Sequence, residues 1–414
     1  MILDKKNIDL AAERLSGIVT RTPLQQNFLL SEQLGCQLYV KREDLQVVRS
    51  YKLRGAYNKM VSLTETEKKN GIVCASAGNH AQGVAFSCFK LNIEGTIFMP
   101  VTTPQQKVKQ VKLFGKDKVK VILQGDTFDD SQKLAVEFCK TNQKTFVHPF
   151  DDEKVMEGQG TVAKEILEEA EFKIDYLILP IGGGGLASGM ISYFKAMSPD
   201  TKIIGVEPMG APSMKTSLDN NENTTLESLD KFVDGASVKR VGDRAFEICK
   251  NHLYKMITVA EGKVCTTILD LYNQQAIVAE PAGALTIASL SLLQEELRGK
   301  NVVCVLSGGN NDISRTEEIR ERSLMYEGLK HYFIIRFPQR SGALREFVTA
   351  VLMPGDDIVH FEYIKKNNRE NGPAFIGLEL ANPERLELLK KSLSILNFEF
   401  EYLNSKNHIL QYLI

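Results

Sequence analysis

Between about residue 70 and residue 310, short apolar runs alternate with amphipathic stretches. The runs at 72–76, 95–100, 118–123, 176–180, 202–207 and 301–307 predict strands. The stretches at 79–91, 127–141, 185–197 and 283–297 carry the spacing of helices with one buried face. Alternation of this kind predicts an α/β fold, with parallel sheets covered by helices on both faces. In such folds functional loops gather at the carboxyl ends of the strands.

The pattern changes after a highly charged stretch at 315–330, which reads as a helical connector. Residues 331–338 alternate like a strand and 341–353 repeat like a helix. Residues 357–365 and 373–380 predict two more strands. A helix over 382–393 is expected to be capped by Asn382, with Pro383 in its first turn. A last strand covers 398–403. The order β-α-β-β-α-β is that of a ferredoxin-like α+β module.

Composition narrows the function classes. The chain has 414 residues, 43% hydrophobic and 25% charged, which suits a globular protein of two or three domains. A formal net charge of −1 gives no overall field for nucleic acid or an anionic membrane. The seven cysteines are scattered, odd in number and without a Cys-x-x-Cys, as expected of free thiols in a reducing cytoplasm. No segment is apolar and long enough to span a bilayer, and the first residues carry no targeting pattern. The six histidines form no zinc-binding spacing.

Four loops carry candidate chemistry. Gly182, Gly183, Gly184 and Gly185 follow an apolar strand and open a helix, presenting bare N–H groups and a helix N-terminus to an anion such as a phosphate. The same glycines also fit a dinucleotide fingerprint, Gly182-x-Gly184-x-x-Ala187, with Glu207 placed where a ribose-binding acid belongs. Lys52 sits in Ser50-Tyr51-Lys52-Leu53-Arg54-Gly55-Ala56. By itself it reads as a surface lysine; partly buried, it becomes a nucleophile and base. Ser76-Ala77-Gly78-Asn79-His80 ends a strand and opens a helix. It suits either a carboxylate cradle or a helix cap. Ser307-Gly308-Gly309-Asn310 follows another buried strand and alone reads as a tight turn.

Together these runs resemble the threonine dehydratases (threonine ammonia-lyases), fold-type II enzymes that use pyridoxal 5'-phosphate. The likeness covers residues 1 to about 320. It includes Arg21-Thr22-Pro23-Leu24, Lys41-Arg42-Glu43-Asp44-Leu45-Gln46, His148-Pro149-Phe150-Asp151, Glu157-Gly158-Gln159-Gly160-Thr161, Asp234-Gly235-Ala236 and Glu280-Pro281-Ala282-Gly283-Ala284. The tail resembles the single ACT-like regulatory domain of the shorter biosynthetic form, most clearly from Phe337 to Arg345. The resemblance implies a catalytic part at 1–322, with a smaller sheet part at about 52–152 inserted in the larger one, and a regulatory domain at 327–414.

The resemblance also implies roles. Lys52 is the lysine that holds the cofactor, flanked by Tyr51. Asn79 faces the ring oxygen, Gly182 to Leu186 the phosphate, and Ser307 the pyridine nitrogen. Ser76, Ala77, Gly78, Asn79 and His80 cradle the substrate carboxylate. Glu207, Ala211 and Ser213 fall on a stretch that binds a cation in some relatives. Ser213 stands where those often carry an acid, so no metal ligand is assigned. The implied reaction turns L-threonine into 2-oxobutanoate and ammonia, the first step of isoleucine biosynthesis. Isoleucine and valine are the expected effectors and a tetramer the expected assembly. A serine dehydratase or racemase, a nicotinamide oxidoreductase and a non-catalytic amino-acid sensor are the alternatives.

Overall fold

In a computed structural model of the chain, residues 2–363 and 371–405 are described. Positions 364–365 of the strand expected at 357–365, and the module's last residues 406–414, lie outside them. The chain divides into two compact units, Met1–Ile313 and Ser314–Ile414.

The first unit holds ten strands: β1 (Leu24–Gln26), β2 (Gln37–Arg42), β3 (Ile72–Ala75), β4 (Gly95–Met99), β5 (Val119–Leu123), β6 (Thr145–Phe146), β7 (Tyr176–Pro180), β8 (Lys202–Pro208), β9 (Lys255–Val259) and β10 (Asn301–Leu306). They form a six-stranded sheet in the order β1-β2-β10-β7-β8-β9 and a four-stranded sheet in the order β5-β4-β3-β6. All neighbours are parallel except β1, which runs antiparallel to β2. Strands β3, β4 and β7 are buried along their whole length, so they read as unbroken apolar runs, as strands covered on both faces must.

The helices Asn79–Leu91 and Gly185–Met197 stand where the sequence pattern places them. The stretch expected as one helix at 283–297 is instead two, Pro281–Ala288 and Leu290–Leu297. The break falls at Ser289, whose hydroxyl donates to the Thr286 carbonyl at 2.7 Å. The pattern also missed the seventeen-residue helix Glu153–Glu169. Its Gly158 and Gly160 argue against a helix by propensity but serve packing. A Cβ at Gly158 would lie 2.5 Å from the Arg54 carbonyl oxygen, and one at Gly160 3.0 Å from that of Gly189. Two neighbouring helices therefore approach it backbone to backbone.

The second unit begins with the helix Thr316–Tyr326 and continues through β11 (Lys330–Pro338), β12 (Asp357–Tyr363), β13 (Asn371–Glu379) and β14 (Glu399–Tyr402). Helices Ala343–Ala350 and Arg385–Ile395 complete the β-α-β-β-α-β order. The sheet order is β12-β13-β11-β14, antiparallel throughout. Its core gathers Phe333, Ile335, Phe337, Phe347, Ile376 and Leu389. Glu321 of the first helix pairs with Lys330 and accepts from the Tyr332 hydroxyl at 2.6 Å. The expected Asn382 cap is not made. The regular helix starts at Arg385 without a side-chain cap, and Asn382 contributes its carbonyl, which accepts from the Arg385 N–H at 3.2 Å.

Candidate active site

Lys52 is the first residue of the helix Lys52–Val61, and the chain before it is stitched to the loop after β10. The Tyr51 N–H donates to the Ser307 carbonyl at 3.2 Å, and the Gly309 N–H to that of Arg49 at 2.9 Å. Ser50 and Gly308 pair as an isolated bridge. Two loops far apart in sequence thus bring Lys52 and Ser307 together. Two residues further, Arg54 is fully buried. It donates to both oxygens of Glu43 at 2.8 Å and to Glu165 at 2.6 and 2.9 Å. Burial opposes its charge, but Glu43 and Glu165 more than offset that and hold its pKa above the usual value. Fixed in this way, Arg54 sets the rotation of the helix and the direction of Lys52.

Part of the Lys52 side chain remains exposed, yet protein surrounds its amine. Desolvation pushes the pKa down to about 8, against the opposing pull of Glu280. The amine donates to the Pro149 carbonyl at 3.0 Å. The next residue, Phe150, lies against the glycine run. A Cβ at Gly183 would fall 2.3 Å from the Phe150 ring, and one at Gly185 2.7 Å from its carbonyl oxygen. Gly184 has φ +88°, which strains any residue with a side chain. Pro149-Phe150 therefore joins the lysine to the glycines. His148 holds this corner, its Nδ1 accepting from the N–H groups of Phe150 at 3.3 Å and Asp151 at 2.8 Å. Burial lowers the His148 pKa, so the ring stays neutral and keeps that acceptor.

The N–H groups of Gly182, Gly183, Gly184, Gly185 and Leu186 make no hydrogen bond within the described fold. They stand at the N-terminus of the helix Gly185–Met197 and suit an anion.

Asn79 begins its helix, behind Gly78 as N-cap. No side chain caps this terminus, so the capping reading of Ser76 and Asn79 does not hold. The Ser76 hydroxyl instead accepts from the Gly78 N–H at 3.2 Å. Ala77 and Gly78 are half-buried. His80 is buried, and its Nε2 bonds the Val147 carbonyl at 2.9 Å. Burial, then the charge of Lys52, pushes its pKa down to about 3. Neutral and with its Nε2–H donated, His80 holds structure and exchanges no proton near neutral pH. The Ser307 hydroxyl donates to the Ala282 carbonyl at 3.3 Å.

Glu280 takes no role from the sequence pattern, although its run is part of the family resemblance. Its carboxylate accepts from Asn79 Nδ2 at 2.6 Å. Burial and then Asp234 push its pKa up to about 7, opposed by the Asn79 bond. The available signal was an acid in the apolar stretch Ile277-Val278-Ala279-Glu280-Pro281-Ala282, where a charge is costly unless it is used.

Glu207 is buried at the end of β8 and accepts from the N–H groups of Met214 at 2.7 Å and Lys215 at 2.9 Å. Both oxygens hold the start of the helix Ser213–Asp219, which removes the ribose contact that the nicotinamide reading needs. Ser213 donates to the Val238 carbonyl. Among the described residues no group of three or more His, Cys, Asp or Glu is placed to hold a metal, and no helix is long and apolar enough to cross a membrane.

A buried amine, a cradle too narrow for any Cβ and a row of unused N–H groups fit an aldehyde cofactor with a phosphate arm. Residues 15–308 match the family of pyridoxal-phosphate dependent enzymes. Residues 321–414 match the C-terminal regulatory domain of threonine dehydratase. The chain is 57% identical over 409 residues to the biosynthetic L-threonine dehydratase of Halalkalibacterium halodurans, across 99% of each chain. It is 54% identical over 413 residues to that of Bacillus subtilis, across 100% of this chain and 98% of the relative. The processed form of threonine deaminase isoform 2 from Solanum lycopersicum superposes with a TM-score of 0.72 at 37% identity, covering 78% of this chain and 96% of that one. Serine racemase from Dictyostelium discoideum superposes with a TM-score of 0.69 at 30% identity, covering 75% and 99%. The chain belongs to the threonine dehydratase family of pyridoxal-phosphate-dependent enzymes.

Proposed function

We propose that this protein converts L-threonine to 2-oxobutanoate and ammonia, the first step of isoleucine biosynthesis, in the cytoplasm. The observation that carries the reading is the Lys52 amine. It is buried, lowered to about 8 and joined through Pro149-Phe150 to the glycine run. Pyridoxal phosphate, when bound, supplies the electron sink for breaking the Cα–H bond. Lys52 holds that cofactor and, as a neutral amine, takes the Cα proton. Gly182 to Leu186 bind the phosphate through their N–H groups, and Tyr51 flanks the ring. Asn79 faces the ring oxygen. Ser307 faces the ring nitrogen with a hydroxyl, which holds no proton there as a carboxylate does. The Ser76 to His80 loop receives the substrate carboxylate on backbone N–H groups. Catalysis belongs to the part expected to end near residue 322, whose compact unit closes at Ile313, with the smaller sheet part at about 52–152, and regulation to the unit that holds 327–414. Isoleucine and valine are the effectors we assign to the second part, and a homotetramer is the assembly. The decisive measurement is keto-acid formation from L-threonine, L-serine and D-serine by the purified protein with pyridoxal phosphate. Turnover highest with L-threonine is expected, and none with it overturns the reading.

The fold is shared with serine racemases, so racemisation is the second reading. It needs an acid on the substrate face opposite Lys52, and the methyl of Ala77 donates no proton. Ala77→Ser should gain D-serine formation from L-serine while keeping elimination. The parent racemising serine as fast as it eliminates would refute this use of Ala77.

A further inference from the structure

We propose that Glu280 is a positioning residue for this reaction, its carboxylate fixing the Asn79 amide so that one Nδ2–H remains for the cofactor ring oxygen. The inference rests on the reading of the site as a pyridoxal-phosphate site with Asn79 at the ring. The amide is clamped from both ends. Its Nδ2 donates to Glu280 Oε1 at 2.6 Å, and its Oδ1 accepts from Asn310 Nδ2 at 2.6 Å. Asn310 is itself held, donating to the Val48 carbonyl at 2.8 Å. A planar amide fixed at its oxygen and one N–H has its second N–H direction determined.

Glu280 is seated by the loop after β10. Its own N–H donates to the Gly308 carbonyl at 3.2 Å. A Cβ on Gly308 would lie 2.3 Å from Glu280 Oε1, so this glycine makes room for the carboxylate. The loop that carries Ser307 therefore also fixes Asn79, which stands on the other sheet's side of the site. Glu280 is almost fully buried. Among the described residues no Lys or Arg pairs with it within ion-pair distance. A carboxylate buried without such a cation costs free energy, and what the structure obtains from it is the Asn79 bond, beside a backbone hydrogen bond from Asn310.

The charges facing Glu280 come from three elements. Lys52 and Tyr51 stand on the lysine helix and its N-cap. Lys107 stands on the helix Gln105–Gly115 and pairs at 2.5 Å with Asp234 of the larger sheet part. Asp234 disfavours the Glu280 anion and Lys107 favours it. The clamp thus changes strength near neutral pH, as Glu280 gains or loses its proton.

The test compares the parent, Glu280→Gln and Glu280→Ala, each loaded with pyridoxal phosphate. Cofactor affinity by fluorescence, the absorption spectrum from mildly acidic to mildly alkaline pH, and kcat and KM for L-threonine are measured. The parent's spectrum and kcat should turn over with a midpoint near 7. Glu280→Gln should keep cofactor affinity within about threefold and lose that midpoint, because an amide accepts from Asn79 without titrating. Glu280→Ala should weaken cofactor binding about tenfold and lower kcat about a hundredfold, with KM for threonine little changed. Glu280→Ala that keeps the parent's midpoint, affinity and kcat overturns the proposal. If the alanine variant does not fold, the Gln variant decides alone: a retained midpoint overturns, a lost midpoint supports. A parent that binds no pyridoxal phosphate overturns the underlying reading as well, which separates the two failures.

Discussion

A lysine becomes a reagent through what surrounds it. The Lys52 amine is desolvated and held by one carbonyl, so its neutral form is accessible near pH 8. Lys52→Ala should lose the visible absorption that borohydride abolishes in the parent. It should also lower keto-acid formation roughly a thousandfold or more, since anchor and base vanish together. Near-normal turnover by that variant would sink the assignment. His80 offers a test of burial with no chemistry attached. Its folded pKa of about 3 lies below its usual value of 6.5. The unfolded chain therefore binds more protons than the folded one between those values, and stability falls as pH drops through that window. The slope attributable to one proton is about 1.4 kcal/mol per pH unit at most. His80→Gln should flatten the acid side of a melting-temperature profile of the cofactor-free protein; an unchanged slope there excludes His80 as its source. In the sequence Lys52 was legible only through its neighbours, because a lysine's burial depends on distant residues such as Pro149 and Glu280. Glu280 was legible only as an acid in an apolar stretch, and its partner was not, because Asn79 belongs to another strand-helix unit.

Elements place these residues through close backbone contact. Gly158 and Gly160 weaken the helix Glu153–Glu169 by propensity, and the alternation of apolar and polar positions did not reveal it. They let it meet the lysine helix and the glycine-loop helix at distances that no Cβ permits. The buried strands were legible because two covered faces demand continuous apolar runs. Strands β1, β2, β6 and β9 were not: β1 and β6 have three and two residues, β2 is only partly buried and ends in Lys41 and Arg42, and β9 is a half-buried edge. The glycine run yields a sharper prediction. A Cβ at Gly183 meets the Phe150 ring at 2.3 Å, so Gly183→Ala must displace the corner that carries Pro149. Overpacking of this kind costs about 1–3 kcal/mol. We expect a lower melting temperature and at least tenfold weaker cofactor binding, at about 1.4 kcal/mol per decade. A Gly183→Ala protein with the parent's cofactor affinity shows that the loop yields without disturbing the phosphate cradle.

At the scale of the whole chain, the candidate site and the stretch that matches a regulatory domain lie on separate compact units. Every candidate site residue falls in Met1–Ile313, and the second unit has its own core and closed β-α-β-β-α-β order. The charged stretch after Ser314 read as a connector from sequence. In the structure its helix belongs to the second unit, tied by Glu321 to Lys330 and Tyr332. A cut near Lys330 would thus leave that helix without its partners, and Ile313 is the better end point. An effector shifts the catalytic part only if it binds two conformations of the protein with different affinity. The chain ending at Ile313 should keep pyridoxal phosphate and threonine turnover. Its saturation curve should ignore isoleucine and valine, whereas in the full chain isoleucine should shift half-saturation by severalfold, as coupling energies of about 1–3 kcal/mol produce. Titrating both amino acids against both proteins decides between control and mere support. If neither moves the curve of the full chain, the second unit is structural, and its resemblance to a regulatory domain describes its fold alone.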